Sequence, residues 1–175
     1  TACLSGTYST VGQSSCSACP GGSYCPSPSS DPLPCPAGTK SSGGATSACV
    51  TCMAGTYANA TGSIACLPCP AGHSCASPQN APVPCAAGFK SPGGQATCTA
   101  CAAGKSSSVG ATTCSSCAAG FSWAGGAAPQ ACAYGTFAAP SAPSCSNCAA
   151  GTVSNAARTG CDPCPNGHTC TPGVV

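Results

Sequence analysis

The chain has 175 residues with 21 Cys, 23 Gly and 18 Pro, but only fourteen Leu, Ile, Val and Phe. Those large apolar side chains, worth about 1.5–3 kcal/mol each when buried, cannot offset a backbone entropy cost of about 1–2 kcal/mol per residue, so cross-links must hold the chain. Charge is sparse, with four cations (Lys40, Lys90, Lys105, Arg158), two anions (Asp31, Asp162) and a net charge of +2; this excludes the clustered Lys and Arg of a nucleic-acid binder.

Cys3–Cys16 is the first of seven long units of one pattern, C-x-x-G followed by a loop and a closing Cys. In chain order the others are Cys35–Cys49, Cys52–Cys66, Cys85–Cys98, Cys101–Cys114, Cys132–Cys145 and Cys148–Cys161. Thr follows the Gly in five of them. A short unit recurs between them at Cys19–Cys25, Cys69–Cys75, Cys117–Trp123 and Cys164–Cys170. Connectors rich in Pro, Ala or Gly follow the first three short units, at 26–34, 76–84 and 124–131. Two long units, a short unit and a connector form a super-repeat. The expected division is a partial repeat at 1–15, super-repeats at 16–65, 66–113 and 114–160, and a partial repeat at 161–175. Both ends fall mid-pattern, which points to a longer parent with more repeats.

Gly and Pro interrupt every segment long enough for a stable helix, and no apolar run approaches the roughly 20 residues of a membrane span. The fold class expected is small and disulfide-rich: short irregular β-hairpins, one per long unit, stacked into an elongated rod. Almost no helix and no conventional hydrophobic core are expected.

Three chemistries compete for the cysteines. In a disulfide ladder each unit closes on itself, and loops of about 13 residues stabilise by about 3 kcal/mol each. The bridges would be Cys3–Cys16, Cys19–Cys25, Cys35–Cys49, Cys52–Cys66, Cys69–Cys75, Cys85–Cys98, Cys101–Cys114, Cys132–Cys145, Cys148–Cys161 and Cys164–Cys170. Crossed pairing within each super-repeat is the main rival. Because 21 is odd, one thiol is left over. Trp123 stands where Cys25, Cys75 and Cys170 stand in the sister units, so Cys117 is expected to be free or bonded to another chain, with Trp123 plugging the gap. The second chemistry is zinc, since Cys49–Cys69 has near zinc-ribbon spacing. The third is redox exchange at C-x-x-C, which needs a strand–helix context that Gly and Pro oppose.

Other chemistry is thin. His73 and His168 share a slot that holds Ser23 and Phe121 in sister units, which argues against metal ligation. The two carboxylates are far apart in sequence and no nucleophile elbow is visible, so no enzyme, catalytic residue, metal or cofactor is expected. Asn59-Ala60-Thr61 is an N-glycosylation sequon. Ser27-Pro28, Ser77-Pro78, Ser91-Pro92 and Thr171-Pro172 are O-glycan candidates. Covalent glycans or sister chains would cover a surface that has little charge to keep copies apart.

The stretch CPAGTKSSGGATSACVTCMAGTYANATGSIACLPCPAGHSC (residues 35–75) resembles the ephrin-receptor-like cysteine-rich repeat. The shared signature is C-P-A-G-T-Y, a mid-loop Gly, then C-x-x-C-P-A-G. The long unit is also similar to the first submodule of tumour-necrosis-factor-receptor domains, which closes on itself and so supports local pairing. Trp123 for Cys, and Ala for Pro in several C-A-A-G units, depart from the pattern. The resemblance implies a secreted or cell-surface protein of the protist or algal extracellular glycoprotein type. Its expected role is structural, in a stiff protease-resistant rod, coat, fibril or flagellar-hair-like filament. Its expected partners are copies of itself or other matrix glycoproteins. The alternative is a receptor ectodomain or adhesion module that binds a protein or glycan.

Overall fold

The computed structural model describes residues 3–44, 47–123 and 128–170. C-x-x-G occurs eleven times, beginning at Cys3, Cys19, Cys35, Cys52, Cys69, Cys85, Cys101, Cys117, Cys132, Cys148 and Cys164. Each time the chain makes the same turn. The amide of the residue after the Gly donates to the carbonyl of the residue after the Cys, at 3.0–3.3 Å. The Gly itself lies at φ 76–85°, the third position of a type II turn. The recurrent Thr has a physical reason here. The hydroxyls of Thr7, Thr39, Thr56, Thr136 and Thr152 each donate a second bond, at 2.7 Å, to that turn carbonyl.

Each of the first ten turns launches a strand of two or three residues. It pairs antiparallel with a strand that ends just before the next C-x-x-G, as in Thr7–Tyr8 with Ser17–Ala18 or Thr39–Lys40 with Val50–Thr51. Seven of these hairpins lie in the long units. Three more were not expected: Ser23–Tyr24 with Leu33–Pro34, His73–Ser74 with Val83–Pro84, and Phe121–Ser122 with Gln130–Ala131. A short unit and its connector therefore make one hairpin, and the connector's last two residues are its return strand. Pro34 and Pro84 are tolerated because they end their strands, where a missing N–H costs little. Among the described residues there is no helix.

The residues separate into two compact units, one of 1–84 with 92–97 and one of 85–91 with 98–175. Within each unit a mid-loop amide reaches the first Cys of the preceding hairpin. In the first, Gly44, Gly62 and Gly94 donate to the carbonyls of Cys19, Cys35 and Cys69 at 2.8–2.9 Å. In the second, Gly110 and Ser141 donate to Cys85 and Cys117 at 2.8 and 3.0 Å. Consecutive hairpins are thus tied by backbone bonds as well as by the chain.

The interior is built from small and sulfur-bearing residues. Nine of the eleven leading cysteines are buried, from Cys19 through Cys148. The other interior position lies six residues after the leading Cys. It is buried in Cys25, Ser41, Ala58, Cys75, Ser91, Trp123, Ala138 and Ser154. Among the described residues no Leu, Ile, Val or Phe is buried, and nine of them, Leu33, Val50, Ile64 and Leu67 included, are exposed. Burial of large aliphatic groups therefore contributes little to this fold.

Candidate functional site

The position six residues after each leading Cys decides how that hairpin is closed. Where it is Cys, the ring is short: Cys19–Cys25, Cys69–Cys75 and Cys164–Cys170. Where it is Ser or Ala, the leading Cys passes it and reaches the Cys at the foot of the return strand. That gives Cys3–Cys16, Cys35–Cys49, Cys52–Cys66, Cys85–Cys98, Cys101–Cys114, Cys132–Cys145 and Cys148–Cys161. Cα–Cα separations of 5.6–5.9 Å across all ten suit unstrained bridges.

The hairpin starting at Cys117 has neither partner. Trp123 fills the interior slot, and Gln130–Ala131 returns without a Cys before it. Cys117 is the one cysteine outside a disulfide, and it is buried. Trp123, 2% exposed, packs against Cys117 and Cys101, with Cys114 beside them. The indole thus covers a thiol and a neighbouring disulfide, replacing a covalent staple with apolar area. Burial also takes the Cys117 sulfur out of reach of a second chain in this conformation.

Asn59 and Thr61 are both exposed in the loop of the hairpin that starts at Cys52, so the sequon is accessible. Ser27 and Ser77 are half-buried, and the Ser27 hydroxyl lies 3.3 Å from that of Ser29. The carbonyls of Pro28 and Pro78 accept from the amides of Ser9 and Ala58 at 2.9 and 2.8 Å. Ser91 corrects an expectation. It is 0% exposed in the interior slot, so in the folded protein its hydroxyl cannot carry a glycan; Pro92 beside it is exposed. Thr171 and Pro172 lie outside the described residues. Position within the 16-residue hairpin was the signal that separates Ser91 from Ser27 and Ser77.

His73 is half-buried, with Nδ1 3.1 Å from the carbonyl oxygen of Ala71, and His168 is exposed. Asp31 and Asp162 are exposed and belong to different units. Among the described residues no three His, Cys, Asp or Glu side chains stand together as a ligand set. No described helix is long and apolar enough to cross a membrane.

Comparison with known families agrees with this architecture. Residues 38–81 match the family model described as tyrosine-protein kinase ephrin type A/B receptor-like. That segment runs from the turn glycine of the hairpin starting at Cys35 into the loop of the one starting at Cys69, nearly three hairpins. No curated protein matches the chain. A module of this type, dense in disulfides, belongs to oxidising extracellular surroundings. Residues 38–81, about a quarter of the chain, are thus similar to the ephrin-receptor-like cysteine-rich repeat.

Proposed function

We propose that this chain is a structural segment of an extracellular glycoprotein, a stiff spacer that resists proteolysis and contributes to a rod, coat or filament. One observation carries the reading: the same hairpin, disulfide-closed except where it starts at Cys117, recurs every 15 to 17 residues, and within each unit consecutive hairpins are joined by backbone hydrogen bonds. Repeats that touch only those adjacent or next but one along the chain form extended objects. Four Lys or Arg leave trypsin-like proteases few sites, and ten bridges tether the loops. In this reading the protein is not an enzyme and uses no cofactor. It carries covalent sugar at Asn59, with O-linked sugar at Ser27 and Ser77. Its partners are copies of itself or other matrix glycoproteins, reached through the aliphatic side chains that the hairpins leave in solvent.

Small-angle scattering on the oxidised full chain tests the spacer role. A compact chain of this length has a radius of gyration of about 16 Å. The spacer reading predicts a value well above that, with a rod-like cross-section. A value near 16 Å would favour the receptor or adhesion module instead.

A further inference from the structure

We propose that the hairpins starting at Cys85 and Cys101 form a binding site for a sulfate group carried on an extracellular polysaccharide. Lys90 and Lys105, two of the chain's four cations, line one cavity of about 450 Å³ whose neutral wall includes Ala100, Ala102 and Thr113. Lys90 ends the strand Phe89–Lys90, and Lys105 opens the strand Lys105–Ser106. Lys105 takes the position after the turn Gly where five sister turns hold Thr. It forgoes the hydroxyl bond those threonines make to the turn carbonyl. A stabilising residue is thus replaced by a charge.

Among the described residues no carboxylate balances the pair. Neither Asp31 nor Asp162 lines the cavity, and the described residues form no ion pair with either lysine. Lys90 is half-buried and Lys105 exposed, so both ammonium groups can meet a ligand. Two like charges at one cavity repel, and an anion placed between them removes that repulsion. Lysine presents a compact point charge and accepts a tetrahedral oxyanion without needing a planar fork. A sulfate ester keeps its single charge at all physiological pH values and suits such a pair. Exposed charges are screened by salt, so one sulfate binds weakly; a chain bearing many sulfates gains by multivalency. Lys40 is an internal control. It matches Lys90 in its own hairpin, but the next hairpin offers Thr56 where the Lys90 pair has Lys105.

The choice of a polysaccharide rests on the extracellular reading above. The test is retention of the oxidised full chain on immobilised dextran sulfate against plain dextran, with inorganic sulfate and inorganic phosphate as competitors. We expect retention on dextran sulfate only. Lys90→Gln or Lys105→Gln should weaken it about tenfold each, and the double variant should abolish it, with ten disulfides still present by mass. Lys40→Gln should leave it unchanged. Equal loss with Lys40→Gln would show a net-charge effect and overturn the site. Retention by the double variant, or equal binding to plain dextran, would also overturn it. Competition by phosphate but not sulfate would overturn the ligand assignment. The spacer reading is tested separately by scattering, so either can fail alone.

Discussion

Trp123 occupies a slot that otherwise holds sulfur or a small side chain, and the consequences are confined to a few residues. Its position six after Cys117 is the position from which Cys25 and Cys75 reach Cys19 and Cys69. Trp123→Cys should therefore close an eleventh bridge, to Cys117. Titration of the denatured protein would then fall from one thiol per chain to none; one or more remaining would show that the slot does not govern pairing. Gly22 illustrates a second constraint, because it sits at φ +77° and a Cβ there would overlap the carbonyl oxygen of Gly62. Gly22→Ala combines backbone strain with a backbone clash and should cost about 3 kcal/mol, read from denaturant unfolding with the disulfides intact. Ser141 shows the converse. It lies at φ 63° in a mid-loop position where Gly62 and Gly94 sit in other hairpins. Ser141→Gly should gain about 1 kcal/mol by the same measurement, since a non-glycine residue is strained there.

At the level of the element, each strand-forming hairpin combines a type II turn and a ladder of two or three residue pairs, and each but the one starting at Cys117 adds one covalent closure. None of these is stable alone, because a lone two-stranded hairpin is marginal in water. The turns were legible in the sequence: Gly at a constant offset from Cys, followed often by Thr, marks a glycine-requiring turn. The long-unit hairpins were legible for the same reason. The three hairpins over the connectors were not. Pro34 and Pro84 read as breakers in sequence, yet each ends a return strand where no amide is needed. The interior slot was hidden because it accepts Cys, Ser, Ala and Trp alike; size and polarity vary while position does not. Removing one closure should have a local effect. Cys52→Ser with Cys66→Ser should cost about 2–5 kcal/mol and raise amide exchange at Ala58, Gly62 and Cys69, while amides of the hairpin starting at Cys132 keep their protection. Uniform loss of protection along the chain would contradict the picture of locally closed hairpins.

For the molecule as a whole, the missing aliphatic core is real: among the described residues no Leu, Ile, Val or Phe is buried, while cysteine, glycine, alanine, serine and Trp123 fill the inside. Composition made that much legible, since too few such residues exist to enclose one. Composition did not show the underlying period. The super-repeat stands out because short rings recur at its steps, yet it is three hairpins of one kind, 15 to 17 residues each, that differ only in where the leading Cys finds its partner. Every hairpin but the one starting at Cys117 closes its own bridge. Disulfide mapping of the native protein tests it directly: alkylate under denaturing conditions without reductant, digest with pepsin, and identify the linked peptides by mass spectrometry. The predicted result is ten bridges, each within one hairpin or short unit, and a single alkylated cysteine at Cys117. Bridges joining different hairpins, or Cys117 found in a bridge within the chain, would contradict it.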